Sequence, residues 1–185
     1  MTHDDDHTSW ERHSGTAPEL RGIFAGVPAP VAALCATVGG GPESFVASSF
    51  VPVSLDPPLV SVCVRTGSAT WARLRGCSRL GVSVLERGQS HLARRLASRA
   101  PDRFAGVDLV EGAEGELFVA GAAVTMTCSI TGTAPAGDHE IVFLLIERAR
   151  AGGGAEPVVF HGSRFRRLSR EPLAPADWWP LSEWQ

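Results

Sequence analysis

Residues 44–58, SFVASSFVPVSLDPP, constrain the fold of this chain more than any other segment. Small and hydroxyl residues, which let a ligand approach the backbone, are followed there by a rigid Asp-Pro-Pro turn. A strand is predicted at about residues 44–48, and residues 51–53 are predicted to interrupt it because Pro52 cannot donate to a strand ladder. The next strand, residues 59–64, begins after the turn. The segment therefore predicts two strands built to hold a ligand.

Alternating hydrophobicity predicts β-structure in much of the remaining chain. Residues 123–131 place apolar side chains on one face and hydroxyl groups on the other, and residues 141–146, apolar on both faces, predict a central strand. Shorter signals predict further strands at residues 28–38, 80–85 and 157–161 and helices at residues 69–75 and 90–98. About seven strands with two short helices favour an antiparallel barrel, because a parallel βαβ stack needs a helix at nearly every crossover.

Composition excludes several classes of protein. The chain has 185 residues, 44% of them hydrophobic, and a net charge of -3, which fits one soluble domain with a substantial core. No apolar run approaches the roughly eighteen residues of a membrane helix, and the acidic N-terminus lacks the features of a secretory signal. The basic residues form no stripe, so we expect no nucleic-acid partner. The His and Cys spacings predict no metal site.

The cysteines point to a reducing compartment. Cys35, Cys63, Cys77 and Cys128 have no CxxC spacing, and three of them lie in apolar, strand-like runs. A free Cys in such a position behaves as a small hydrophobic residue. We therefore expect reduced thiols and a cytoplasmic protein.

The chain divides by composition into three parts. The acidic, polar composition of residues 1–20 predicts a flexible leader, and residues 21–168 form the predicted domain. Residues 169–185 are rich in proline and contain Trp178, Trp179 and Trp184. Because an unanchored tail rarely carries so many aromatic side chains, we expect this tail to dock on the barrel or on a second subunit.

Six sequence blocks carry a resemblance to a known family. They are residues 44–58, 59–64, 65–68, 97–106, 137–139 and 160–165. In this order, across residues 22–167, they resemble the flavin reductase-like family of FMN-binding split barrels. The resemblance implies a mainly β fold, an antiparallel FMN-binding split β-barrel with a few short helices. It also implies a homodimer with flavin sites near the subunit interface.

The activity that the resemblance implies is the NAD(P)H-dependent reduction of FMN. FAD is the alternative flavin, and the co-substrate is NADH or NADPH. Members of the family often pass reduced flavin to a partner monooxygenase. Two alternatives stay open: an FMN-bound oxidoreductase that acts directly on a specialised metabolite, and a non-enzymatic flavin-binding or carrier protein.

One set of candidate residues is assigned by the resemblance to the flavin ring and ribityl chain. Ala47, Ser48 and Ser49 have small side chains that let backbone N–H groups approach the ligand. Many members carry Asn at the position of Ser48, so this chain has a shorter side-chain donor there. The set of cofactor contacts also includes Ser54, Asp56 and Pro57. For Asp56 we favour a turn residue that bonds nearby backbone N–H groups over a catalytic acid.

A second set is assigned to a phosphate. Arg65, Thr66 and Ser68 end a strand and open a helix, where unpaired N–H groups favour an anion; a helix cap without phosphate is the alternative. Arg99 and Arg103 lie in a block with Pro-Asp-Arg-Phe, and the resemblance implies that either binds the flavin phosphate or the nicotinamide cofactor. A surface salt bridge from Arg103 to Asp102 or a neighbour is the alternative.

His139 is the candidate catalytic residue. The family carries Gly-Asp-His at residues 137–139, and the resemblance places the imidazole beside the flavin and nicotinamide rings. Hydride transfer needs no protein acid or base, so we assign His139 a role in orienting the two rings. A turn histidine that bonds to the backbone is the alternative. Arg164, after the last predicted strand, is a further candidate contact of the cofactor.

Overall fold

The computed structural model of the protein describes residues 16–168. Within this range the chain forms three α-helices, one short 3-10 helix (Arg87–Gln89) and twelve strands. The helices are α1 (Ala17–Ala25), α2 (Ala69–Leu74) and α3 (Ser90–Ala97). The strands are β1 (Ala29–Pro30), β2 (Ala32–Val38), β3 (Gly41–Ala47), β4 (Val51–Leu55), β5 (Pro58–Arg65), β6 (Leu80–Val84), β7 (Leu109–Glu111), β8 (Leu117–Val119), β9 (Val124–Ala136), β10 (His139–Ala151), β11 (Val158–His161) and β12 (Arg164–Arg167). The tail predicted to dock, residues 169–185, lies outside the described residues.

Seven strands form the main sheet, in the order β3-β2-β6-β9-β10-β5-β4. All neighbouring pairs in this sheet are antiparallel. The Ser49 hydroxyl donates to the carbonyl of Cys63 at 3.2 Å and accepts from the Cys63 N–H at 2.9 Å. This pair of bonds ties the end of β3 to β5 and brings the two halves of the sheet together. The predicted antiparallel barrel is confirmed, and β10 is the interior strand that its apolar sequence predicted.

Strand β2 contributes side chains to two hydrophobic clusters, which explains its continuous apolar sequence. Ala32, Leu34 and Ala36 face the barrel interior, where they join core side chains of β5, β6 and β10. Ala33 and Cys35 face the other way, toward a cluster under α3, β8 and β11. Because both faces are buried, no hydrophobic alternation appears along β2.

Two small sheets complete the described structure. Strands β1, β11 and β12 form one in the order β1-β11-β12, and β7 and β8 form a hairpin. No helix within residues 16–168 is long and apolar enough to cross a membrane.

The prediction that residues 51–53 interrupt a strand is wrong. They belong to β4, which pairs with β5 at the edge of the main sheet. The register shifts between Pro52 and Ser54, as in a β-bulge. An edge strand with a bulge tolerates proline because one side of the strand has no partner to receive its missing N–H.

Helix α1 was not predicted, and it crosses the boundary that we place at residue 20 between leader and domain. Its start is fixed by Glu19, which accepts a 2.5 Å hydrogen bond from the Thr16 N–H. Its end is anchored where the Ala25 carbonyl accepts from the Gly162 N–H at 2.6 Å. Residues 17–20 are therefore helical, and residues 1–15 of the predicted leader lie outside the described residues.

Candidate functional site

A cleft of about 1000 Å³ opens between the end of β5, helix α2 and the loop of residues 98–104. Four arginine side chains line it, and none of its described lining residues is acidic. We call it the arginine cleft; the arginines are Arg65, Arg73, Arg99 and Arg103, and Thr66 and Ser68 also line it. The structure thus brings together both sequence blocks that were predicted to bind phosphate.

Strand β3 is the reason that these blocks meet. Its Ser44 hydroxyl donates to the Leu96 carbonyl at 3.0 Å, which holds the end of α3 and the loop that follows it. Its Phe45 packs against the buried Trp71 of α2, with ring centroids 6.0 Å apart. Ser68 caps α2, because its hydroxyl accepts from the Trp71 N–H at 3.3 Å. Both walls of the arginine cleft are therefore fixed to one strand.

Directly before Ser44, β3 also carries a buried carboxylate, Glu43, which sequence analysis missed. Its Oε2 accepts from Arg73 Nε at 2.5 Å, and its Oε1 forms a close ion pair with Arg103 Nη2. Oε1 also accepts from the Ser44 N–H at 3.1 Å. The partner of Arg103 is thus Glu43, a buried carboxylate distant in sequence, and not a neighbouring residue in a surface salt bridge. Asp102 instead pairs with Arg95 at 3.6 Å.

Arg103 is held more tightly than the other arginines of the cleft. Its Nη1 donates to the Ser98 carbonyl at 3.2 Å, and its guanidinium carbon lies 5.1 Å from the centroid of the Phe104 ring. Its side chain is only 13% exposed, against 49% for Arg73. The Arg103 guanidinium is therefore preorganised at the wall of the cleft.

His139 begins β10 directly opposite Arg65 of β5, so it borders the arginine cleft. Its Nδ1 lies 2.8 Å from Asp138 Oδ1, and the Asp138 carbonyl accepts from the Thr66 N–H at 3.0 Å. The hydrogen bond and the charge of His139 lower the pKa of the Asp138 carboxyl. Because an ionised carboxylate only accepts, Nδ1 carries a hydrogen and Nε2 is left for other contacts.

A second hollow, of about 630 Å³, lies between α1, the end of β3 and the β11–β12 hairpin. Ser48 and Ser49 line it with Phe24, Val27 and Phe160, and we call it the apolar groove. Phe24 and Val27 are more than 60% exposed, so they leave apolar surface for a ligand. The other described lining residues are Arg21, Ala25, Ala29 and Ser163.

The remaining predicted residues are distributed around these two hollows. The Ala47 side chain is buried in the barrel core, and the Ser49 hydroxyl is used by Cys63, so only their backbone is left for a ligand. Arg164 follows Ser163 at the rim of the apolar groove and is exposed.

Ser54, Asp56 and Pro57 lie at the far end of the barrel. Asp56 and Pro57 form the turn between β4 and β5. The arginine cleft lies at the other end of β5, and the eight residues of this strand span roughly 23 Å. Within one chain, these residues therefore do not meet the predicted phosphate-binding set.

Arg73, Phe24 and Val27 were missed together with Glu43. Arg73 had a signal, because Trp71 and Leu74 define the buried face of α2 and leave Arg73 outside it. Nothing in the sequence links Glu43 to Arg73 and Arg103, since their contact depends on how α2 and the loop after α3 dock on β3. Phe24 of α1 and Val27, which follows this helix, were missed with the helix itself.

The donor set of the two hollows fits a ligand with an anionic part and a flat apolar part. Guanidinium groups bind phosphate oxygens through forked hydrogen bonds, and the apolar groove offers Phe24 and Phe160 to an aromatic ring. Ser49, which lines the apolar groove, bonds to Cys63 of β5, and Arg65 at the end of the same strand lines the arginine cleft. Fold and site together define an antiparallel barrel for a phosphate-bearing aromatic cofactor.

The flavin reductase like domain matches residues 24–169 of the sequence. The chain therefore belongs to the flavin reductase-like domain family. It is 40% identical to the NADH-dependent FAD reductase of Streptomyces globisporus over 157 residues, which cover 82% of this chain and 85% of that protein. It is 37% identical to the actinorhodin polyketide dimerase of Streptomyces coelicolor over 150 residues, 80% of this chain and 85% of that protein.

Solved structures show the same similarity. The NADH:FAD oxidoreductase of Streptomyces globisporus C-1027, in complex with NAD and FAD fragments, superposes with a TM-score of 0.78 at 35% identity, covering 83% of this chain and 93% of that chain. The flavin reductase component of a bacterial two-component tryptophan halogenase superposes with a TM-score of 0.76 at 32% identity, covering 84% and 100%.

Proposed function

We propose that this protein is an NAD(P)H-dependent flavin reductase that takes FMN or FAD and supplies reduced flavin to a partner monooxygenase. The observation that carries the proposal is the arginine cleft, bordered by His139, in a chain of the flavin reductase-like domain family. The relatives named as NADH-dependent FAD reductase and as a reductase component support both the reaction and the partner.

A flavin held in these hollows would supply the redox chemistry, as the acceptor of a hydride from the reduced nicotinamide. The chain supplies binding and orientation. Arg65, Arg99 and Arg103 would bind phosphate oxygens, and the backbone near Ser48 and Ser49 would contact the flavin ring. His139, held by Asp138 through Nδ1, would contact the flavin and nicotinamide rings through Nε2 and orient them.

We propose that the protein forms a homodimer through β4. This strand is the edge of the main sheet, and its Val51, Val53 and Leu55 side chains are about half to nine-tenths exposed. An unpaired edge with apolar side chains is a surface that another chain can cover. A dimer that buries β4 also brings Ser54, Asp56 and Pro57 to a second subunit, where they become candidate contacts of its cofactor. We place the protein in the cytoplasm, because its four cysteines are free thiols.

Steady-state oxidation of NADH and of NADPH, with FMN, FAD and riboflavin as acceptors, tests the reductase. We expect turnover with at least one pair. Well-folded protein that turns over no pair would refute the proposal.

Similarity to the actinorhodin polyketide dimerase favours a second candidate, an FMN-bound oxidoreductase that acts directly on a specialised metabolite. The two candidates differ in how the flavin is held. FMN that stays bound through gel filtration, together with turnover of an aromatic metabolite in the absence of NAD(P)H, would favour the second candidate. Flavin that exchanges freely and is reduced by NAD(P)H would favour the first.

A further inference from the structure

We propose that Glu43 is a positioning residue that sets the affinity of the arginine cleft for a ligand phosphate, by holding Arg73 and Arg103 in place before the ligand binds. The inference rests on the proposed function, because the phosphate is that of the flavin or of the nicotinamide cofactor. The structure places no other carboxylate of the described residues against these two arginines.

Glu43 is well placed to act on both walls of the cleft. It is 7% exposed and lies in β3, the strand on which both walls are fixed. Each of its carboxylate oxygens accepts from one arginine, Oε2 from Arg73 of α2 and Oε1 from Arg103 of the loop after α3. A single buried side chain therefore sets the spacing between two guanidinium groups that come from different elements.

The paired arginines keep hydrogen-bond donors for a ligand. A guanidinium has five N–H donors. Arg73 uses Nε for Glu43, and its two terminal nitrogens make no other hydrogen bond within the described residues. Arg73 is half exposed at the cleft wall, so its terminal N–H groups are accessible to phosphate oxygens. Glu43 thus holds the Arg73 side chain in place through Nε and leaves its two terminal nitrogens for a ligand.

Two opposite effects follow from removing the charge of Glu43. The four arginines that line the cleft and Glu43, which pairs with two of them from the strand behind, carry a net charge of +3, and neutralising Glu43 raises it to +4. Coulomb attraction alone would then strengthen phosphate binding, but counterions screen this effect in a cleft open to solvent. Loss of the fixed geometry restores the rotamer freedom of two long side chains, which must be lost again on binding. We expect the loss of geometry to outweigh the gain of charge.

The test is a binding titration of Glu43→Gln with FMN and with riboflavin, which lacks the phosphate, followed by flavin fluorescence. Gln keeps the shape of Glu43, but its NH2 group cannot accept from an arginine. If the flavin phosphate is the ligand, the Kd for FMN rises about tenfold, the size of one charge-assisted hydrogen bond, and the Kd for riboflavin is unchanged. If the nicotinamide phosphates are the ligand, the KM for NADH with riboflavin as acceptor rises about tenfold, and the FMN-to-riboflavin affinity ratio is unchanged.

A second variant separates position from charge and avoids the risk that a buried substitution prevents folding. Arg73→Lys keeps the positive charge at a half-exposed site but loses the Nε contact with Glu43. We expect Arg73→Lys to raise the same quantity that Glu43→Gln raises, either the Kd for FMN or the KM for NADH. Glu147→Gln is the matched control, because Glu147 pairs with Arg79 at 2.5 Å outside the cleft.

Phosphate binding that is unchanged or tighter in both Glu43→Gln and Arg73→Lys would overturn the inference, because charge alone would then govern the cleft. This result can be distinguished from failure of the proposed function. If the proposed function fails, the wild-type protein itself neither binds nor reduces any flavin.

Discussion

At the scale of single residues, the Asp138–His139 pair determines which imidazole nitrogen can meet a ligand. The pKa of Asp138 is lowered, first by its hydrogen bond with His139 and then by the charge of His139. The carboxylate is therefore ionised at neutral pH, and the pair is lost only as the pH falls through this lowered pKa. Nε2 of His139 consequently faces away from Asp138 over the whole neutral range.

We expect His139→Gln to lower kcat/KM for NADH about tenfold, because the variant loses an orienting contact and leaves the redox chemistry intact. Steady-state kinetics with FMN as acceptor measure the change. His91→Gln is the control, since His91 is exposed on α3 and, among the described residues, its Nδ1 contacts the Gly88 carbonyl, 3.1 Å away. An unchanged kcat/KM in His139→Gln would support the alternative of a turn histidine.

The buried cysteines give a second prediction at this scale. Burial raises the pKa of Cys35 to about 12, and burial with the nearby Glu147 charge raises the pKa of Cys128 to about 12. At pH 8 only about one thiol in ten thousand is then ionised at either position. In the native protein we expect Ellman's reagent to label at most Cys63 and Cys77, and all four cysteines after denaturation. Rapid native labelling of all four would contradict the burial of β2 and β9.

At the scale of elements, β6 and β8 pack so closely that a side chain is excluded between them. A Cβ on Gly81 of β6 would clash with the backbone of Leu117 in β8. We expect Gly81→Ala to lower the free energy of unfolding by about 3 kcal/mol, because backbone atoms cannot move aside as a flexible side chain can. Denaturant unfolding measures this loss.

Gly132→Ala is the matched control, because a Cβ at Gly132 of β9 meets no atom within 4 Å. Its expected effect is within about 0.5 kcal/mol. Equal stability of the two variants would show that β8 does not lie against Gly81.

Elements with their own periodic sequence were predictable, and elements that depend on a distant partner were not. The alternation of residues 123–131 and the apolar run at 141–146 correspond to β9 and β10. Pro52 led to a wrong prediction for β4, because its tolerance depends on the strand lying at an edge. Helix α1 has Leu20, Ile23 and Phe24 at helical spacing, so its sequence carried a signal that was missed.

The candidate site divides in the same way. Arg65, Thr66 and Ser68 were recognisable as a strand end before a helix, and the resemblance added Arg99 and Arg103. Glu43 and Arg73 could not be linked from sequence, because their contact forms only when α2 docks on β3 through Trp71.

At the scale of the whole molecule, β4 is the surface through which we expect two chains to associate. Leu55 is 91% exposed at its end. Leu55→Asp places a charge in the proposed interface, where burial without a partner is costly. We expect light scattering after gel filtration to show a monomeric variant and a dimeric wild type. As a control for folding, the two proteins should have equal melting temperatures at a dilution where both are monomers. A monomeric wild type would contradict the homodimer.

The central claim is that the barrel binds flavin and orders it for reduction by a nicotinamide cofactor. Anaerobic stopped-flow absorbance in the oxidised-flavin band tests this claim most directly, after reconstitution with FMN or FAD and mixing with NADH or NADPH in separate runs. The account predicts rapid bleaching that His139→Gln slows. Flavin that binds without bleaching by either nicotinamide cofactor, or no flavin binding at all, would contradict it.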